Sequence, residues 1–171
     1  ITIKKEGSGL FSNFAVSDKV NVGHKLDVKG PFGPNFAYTQ PYSDVVLIGA
    51  GSGIVPLYTI LGFITDKKIP VQARLLYSNK TPDDIIFRKN LDDIENKNPN
   101  IKNTHTLTRY DSNDWTGRKG RIDFELVKQT ASELKKEFYF ICGPNEFSKH
   151  FEEQLLKSGV PKHKVKRESW G

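Results

Sequence analysis

The segment Gly49-Ala50-Gly51-Ser52-Gly53-Ile54-Val55-Pro56 directly follows the apolar run Val45-Val46-Leu47-Ile48, an order suited to binding an anion. Glycine lets backbone approach a ligand where a side chain would block it, and unpaired amides at a helix start attract phosphate. The same glycines would also serve tight packing of a helix on a strand. The segment lacks the Lys-Ser or Lys-Thr end of a nucleoside-triphosphate loop, and its glycine spacing is not G-x-G-x-x-G. A second constellation, Cys142-Gly143-Pro144, closes the apolar run Phe138-Tyr139-Phe140-Ile141; taken alone, a buried cysteine there is inert packing. His24, His105, His150 and His163 have no metal-ligand spacing and are expected on surfaces or in loops, so no metal site is predicted.

These residues need strands and helices in alternation to bring them together. The run Val45 to Ile48, short, continuous and ended by glycines, predicts a strand buried on both faces of a parallel sheet. Pro56 suits a first helical turn, which Leu57 to Phe63 continue. Val71 to Tyr77 predicts a second strand, and Phe87, Leu91 and Ile94, at i, i+4 and i+7, a second helix. Thr104 to Thr108 and Phe138 to Ile141 are strand candidates three and four, with a short helix within Phe124 to Leu134 between them. Phe147, Phe151 and Leu155 mark a helix that Gly159 and Pro161 terminate, and Val165 to Trp170 supplies a last strand. The expected fold class is α/β: an open, mostly parallel sheet with helices on both faces, over residues 41–171. Residues 1–40 read as strand-like and end in the turn-rich stretch Gly30-Pro31-Phe32-Gly33-Pro34 and the aromatic-polar segment from Asn35.

Composition narrows the function classes. Apolar residues make up 36% and charged residues 27%, too mixed for extended disorder. No window approaches the ~20 apolar residues of a membrane span, and Ile1-Thr2-Ile3-Lys4-Lys5 has no signal-peptide plan, so a cytoplasmic location is expected. With Cys142 the only cysteine, an intrachain disulfide, a zinc ribbon and a cysteine-held iron-sulfur cluster are excluded on this chain. The chain has no methionine and opens inside a strand-like pattern, so a longer native N-terminus is expected. The net charge of +6 is spread along the sequence and accompanies no nucleic-acid-binding motif.

The glycine turn resembles the G-G-T/S-G-I-x-P turn of the ferredoxin-NADP reductase superfamily, with Ala50 in place of a common glycine. Similarity extends along the chain. Gly9-Leu10-Phe11-Ser12 resembles the family's G-x-x-S segment, which holds the flavin pyrophosphate; Ser12 would serve as well as a helix N-cap. Val22-Gly23 to Gly33 is similar to the strand and loop closing the flavin barrel, which makes residues 1–40 the remnant of an antiparallel flavin-binding barrel. The family's R-x-Y-S/T flavin motif has no counterpart upstream, which puts FAD retention in question.

By the same resemblance, Gly51, Ser52, Gly53 and Pro56 bind the dinucleotide pyrophosphate. Ser78, Asn79, Asp84, Arg88, Thr108 and Arg109 attend the adenosine side, and Gly143, Pro144 and Phe147 flank the nicotinamide pocket. Cys142 lies beside the nicotinamide, Glu168 is a supporting acid, and Trp170 is a candidate for the flavin face or a plain packing aromatic. The implied cofactors are FAD and NAD(P)H. Lys80 and Arg88 could accept a ribose 2′-phosphate and Asp83 or Asp84 a free hydroxyl; Asp84-Ile85 leans towards NADH. The implied activity is hydride transfer from NAD(P)H to FAD, with electrons passing on to a ferredoxin, a flavodoxin or an oxygenase component. Alternatives are the reductase module of a larger oxygenase or oxidase, and a regulatory module that binds the dinucleotide without turnover.

Overall fold

The computed structural model describes residues 2–5, 7–30, 36–38 and 44–170, the Trp170 side chain excepted. Most of the junction read above as turn-rich and aromatic, residues 31–35 and 39–43, therefore lies outside the described residues. The chain divides into two compact units, 1–34 and 35–171.

The described residues of the first unit form one short helix, α1 (Leu10–Ala15). Gly9 caps it in an extended conformation, and Ser12 Oγ and Asn13 Nδ2 both donate to the Gly9 carbonyl, at 3.2 and 2.8 Å. Its described residues form no strand, contrary to the strand-like reading of the opening residues and of the stretch from Val22. An extended segment needs a partner for its N–H and C=O groups, and the described part of this unit contains none. Leu10, Phe11 and Val28 are exposed.

The second unit is a six-stranded, all-parallel sheet. Its strands are β1 (Asp44–Ala50), β2 (Gln72–Asn79), β3 (Ile101–Leu107), β4 (Arg118–Lys119), β5 (Phe138–Pro144) and β6 (Val165–Trp170), in spatial order β4-β3-β2-β1-β5-β6. From β1 the chain winds outward through β2, β3 and the edge strand β4, then returns to the other side of β1 for β5 and β6. Strand order thus reverses between β1 and β5, and a crevice opens at their carboxyl ends.

Side-chain alternation sorts two cores. Val45, Leu47, Leu75 and Phe140 face α2 (Ile54–Asp66) and α3 (Arg88–Lys97). Val46, Ile48, Tyr139 and Ile141 face α4 (Phe124–Thr130) and α5 (Asn145–Lys157). A sheet covered on both faces explains why its central strands read as unbroken apolar runs.

Helix ends set the loop geometry. After α5, Gly159 at φ +82° lets the Val160 amide reach the Leu155 carbonyl and its own amide the Leu156 carbonyl, a paired closure that buries Val160 against Leu155. Lys68 performs the same turn after α2 at φ +51°, without glycine's freedom.

Opposite the crevice, at the amino ends of the strands, a polar pin ties β1, β2 and β5 together. Arg74 Nη1 lies 3.1 Å from Glu137 Oε1 and 3.6 Å from Asp44 Oδ2, and its Nη2 donates to Ser132 Oγ at 2.6 Å. Glu137 is 2% exposed, and burial pushes its carboxyl up against the opposing pull of the Ser132 amide and Arg74. Removing the cation strands a buried charge, so Arg74→Ala should cost about 3 kcal/mol of unfolding free energy. Glu137→Gln, which keeps an acceptor for the Ser132 amide, should cost markedly less. Urea titration of both variants checks the order, and equal losses would refute it.

Candidate functional site

One transverse row of residues crosses five strands just below their carboxyl ends. His105 on β3 is in register with Tyr77 on β2, Tyr77 with Gly49 on β1, Gly49 with Cys142 on β5, and Cys142 with Glu168 on β6. Residues in such a row point to one face, here the face of α2 and α3. The row has a gap at Gly49, where a Cβ would lie 2.8 Å from Leu57 Cδ1. Leu57 thus lets α2 settle into that gap. Gly143 works similarly, since a Cβ there would lie 2.7 Å from the Phe147 ring, which itself meets Phe151 edge-on. Both glycines are packing requirements.

The conformational glycine is Gly51, at φ +54°, which opens the short helical turn Gly51–Gly53 leading into α2. Tyr77 donates its hydroxyl to the Gly51 carbonyl at 2.8 Å, fixing the turn from the neighbouring strand. Neither Ala50 nor Gly53, the residues at the N-caps of the turn and of α2, has a side chain that caps this helix start, an arrangement suited to an anion at its first amides. Ser52 lies within the turn, and Pro56 in the first turn of α2, where its missing N–H costs nothing. Burial pushes the Tyr77 hydroxyl up to about 12.

At the ends of β2 and β3, the Asn79 carbonyl accepts from the Thr108 amide and hydroxyl at 2.9 and 3.2 Å, and the Lys80 carbonyl from the Arg109 amide at 2.9 Å. The Asn79 side chain is buried beside Tyr77, yet neither amide atom makes a hydrogen bond of ordinary geometry among the described residues. Ser78 is half-buried at the same edge. Asp84 faces inward: its Oδ2 accepts from the Thr81 amide at 3.1 Å and the Thr81 hydroxyl at 2.9 Å, closing the turn before α3. Arg88 stands exposed at the first position of α3.

On the other side of the row, Cys142 is 2% exposed, and burial, with the Glu168 carboxylate adding to it, pushes its thiol up to about 12. It is a neutral thiol at physiological pH. Glu168 is exposed on the edge strand, Pro144 caps α5, and the backbone of Trp170 ends β6 opposite Pro144; its side chain is outside the described residues.

The sequence reading missed His105 and Trp115 as contributors, and gave Tyr77 and Phe87 only as members of a strand and a helix. A tyrosine ending a buried strand signals a hydroxyl that needs a partner, which was legible. His105 was expected at a surface or in a loop and instead lies half-buried under α3, with its ring 5.9 Å from Tyr77 and both ring nitrogens unpartnered among the described residues. The period-two alternation of β3, with Ile101, Asn103, His105 and Leu107 on one face, turns it inward.

Burial lowers the His105 pKa; Asp92 and Glu95 pull it up and Arg88 pushes it down. Because the folded chain resists protonation there, an unfolded histidine near pKa ~6.5 binds the proton first as pH falls. Stability should therefore decline below about pH 6.5, by at most about 1.4 kcal/mol per pH unit from this group. His105→Gln should flatten that part of the profile when urea midpoints are compared from pH 7.5 to pH 5. Unchanged slopes would exclude His105 as the source.

The family model described as oxidoreductase NAD-binding domain matches residues 47–153. The chain is similar to NADH-cytochrome b5 reductase 2 of Aspergillus oryzae, 37% identical over 131 residues, 73% of this chain and 40% of that protein. It is also similar to the glycine betaine monooxygenase reductase subunit of Chromohalobacter salexigens, 27% identical over 173 residues, 100% of this chain and 47% of that protein. Among solved structures, the cytochrome b5 reductase domain of Ulva prolifera nitrate reductase superposes with a TM-score of 0.80 at 25% identity, covering 92% of this chain and 64% of that one. The chain spans about half, or less, of the length of these curated relatives. The match over residues 47–153, together with the doubly covered parallel sheet and the glycine turn at its centre, shows that this chain belongs to the oxidoreductase NAD-binding domain family.

Proposed function

We propose that this chain is the dinucleotide-binding part of a flavin-dependent NAD(P)H reductase that passes electrons to an acceptor protein. The observation that carries the reading is the register row, which sets the glycine turn after Gly49, the neutral Cys142 thiol and the Glu168 carboxylate side by side at the strand-order reversal. A dinucleotide laid across that reversal has its pyrophosphate at the free amides of Gly51 to Gly53 and its adenosine over the ends of β2 and β3. Its nicotinamide then falls over β5. Asn79, whose buried amide makes no hydrogen bond of ordinary geometry among the described residues, and Ser78, Thr108, Arg109 and Arg88 serve the adenosine side.

The residues present fit part of an FAD site. The start of α1 carries no side-chain cap, so Gly9, Leu10, Phe11 and Ser12 would hold the flavin pyrophosphate there. FAD, when bound, supplies the acceptor for the nicotinamide hydride. The chain's own residues then have positional tasks. Cys142 gives the nicotinamide a neutral, polarisable wall, Gly143 and Pro144 keep the strand end narrow enough for the ring to lie against it, and Glu168 supplies the nearby charge. Trp170, at the end of β6, is the candidate for covering the flavin face.

NADH is the favoured donor on the Asp84-Ile85 resemblance and the kinship with NADH-cytochrome b5 reductases. The acceptor class is drawn from what the relatives are named for, cytochrome b5 or an oxygenase component, and a ferredoxin or flavodoxin would fit a basic chain as well. Among the described residues no helix is long and apolar enough to cross a membrane; a cytoplasmic location is part of the proposal.

With FAD first shown by its absorbance to stay bound to the protein, anaerobic mixing with NADH should bleach the flavin, and Cys142→Ala should slow that step roughly tenfold or more by loosening ring placement. NAD+ affinity should stay within about twofold, because binding energy resides mainly at the pyrophosphate and adenosine. No bleaching by NADH or NADPH would overturn the reductase reading. An unchanged single-turnover rate in Cys142→Ala would leave Cys142 a packing residue.

A further inference from the structure

The start of α3 is built with more care than a surface helix needs. Phe87, the residue before it, adopts φ +61° and ψ 24°, a left-handed conformation that costs a bulky aromatic residue energy. It is held there by stacking on Tyr58 of α2, with ring centroids 4.5 Å apart and planes 25° apart. Its carbonyl still accepts the Leu91 amide at 2.8 Å, so the helix begins at once with Arg88.

Arg88 is also met from the other side. Its guanidinium lies 5.5 Å from the centre of the Trp115 ring, in the connection between β3 and β4. That connection is arranged around the indole. Gly117 leaves room for it, since a Cβ there would lie 2.5 Å from the ring, and Trp115 Nε1 donates to the Arg118 carbonyl at 3.2 Å, which sets the ring's orientation. Arg88 itself makes no ion pair among the described residues. Three acids of the neighbouring loops are engaged elsewhere, Asp84 with Thr81, Asp111 with Lys119 and Asp114 with Tyr110, and Asp92, one turn further along α3, makes no ion pair with Arg88 among the described residues. A cation whose helix start is fixed by the Phe87–Tyr58 stack, whose guanidinium rests over the Trp115 ring, and which makes no ion pair among the described residues is prepared for an anion.

We propose that Trp115 is a positioning residue, holding the Arg88 guanidinium towards a phosphate of the bound dinucleotide. This rests on the dinucleotide reading above. The phosphate is either the ribose 2′-phosphate of NADPH or the pyrophosphate common to both coenzymes; the recognising chemistry is the same. A planar guanidinium can lie on an indole and keep its N–H edge free for phosphate oxygens, which an ammonium cannot do as well.

The test is calorimetric titration of the chain with 5′-ADP, 2′,5′-ADP and adenosine. Arg88→Ala should weaken at least one phosphate-bearing nucleotide about tenfold while adenosine binding changes little. Trp115→Leu should reproduce most of that loss for the same nucleotide, and Trp115→Phe, which keeps an aromatic face, should restore much of it. A loss confined to 2′,5′-ADP assigns the ribose phosphate, and a loss with 5′-ADP the pyrophosphate.

Wild-type affinity for both nucleotides in Trp115→Leu would overturn the proposal. If Trp115→Leu does not fold, Arg88→Lys decides: it keeps the charge but not the planar stack, so wild-type binding by Arg88→Lys would also overturn it, and an Arg88→Ala-like loss would support it. A wild-type chain that binds none of the three ligands would instead defeat the dinucleotide reading.

Discussion

The site depends on a missing side chain in the middle of a strand row. Gly49 sits between Tyr77 and Cys142 at a level where every other strand in the row places a side chain on that face. Leu57 occupies the space, so α2 can start within a few residues of the strand end, and its first amides are brought to the crevice between β1 and β5. A methyl group at position 49 would press on Leu57 and lift the helix start away from the sheet. The anion site is therefore a product of how closely a helix can seat on a parallel sheet, which is a packing matter before it is a ligand matter.

This division of labour among the glycines explains what could be read from sequence. A glycine-rich strand-to-helix turn announces both packing and ligand approach, and only coordinates separate them: Gly49 and Gly143 answer to Leu57 and Phe147, whereas Gly51 answers to a left-handed turn. The central strands were legible because burial on both faces leaves continuous apolar runs, and the α5 end because Gly159 and Pro161 punctuate it. Val165 to Trp170 is a strand with the predicted limits. β4 was illegible, being two charged residues whose pairing is set by β3 and not by any pattern of their own.

Other features were hidden for physical reasons as well. His105 is placed by strand alternation in a polar stretch, Lys102-Asn103-Thr104-His105-Thr106, that lacks the apolar signal used to assign faces. The same polarity suits a strand that β4 covers only at Thr106 and Leu107, because an edge with exposed backbone is safer when it is not apolar. Asp84 read as a free acid over a ribose, yet Thr81 three residues earlier captures one of its oxygens; the spacing of threonine and aspartate carried that information, as in other reciprocal caps. Phe87 gave no warning, since nothing in a sequence marks a phenylalanine destined for a left-handed conformation.

The protonation states along the row follow from the same seating of α2 and α3 on the sheet. Burial raises the Tyr77 hydroxyl and the Cys142 thiol to about 12 and lowers His105, so at neutral pH all three are uncharged, and the first charge along that direction is the exposed Glu168. Cations lie at the other end, where Arg88 and Arg109 follow the ends of their loops and strands. A ligand that is anionic at its pyrophosphate centre and neutral at its reduced reacting ring would meet matching surroundings at both points. A charged side chain at Cys142 would break that match twice, by its own desolvation cost and by imposing a field where only ring placement is needed.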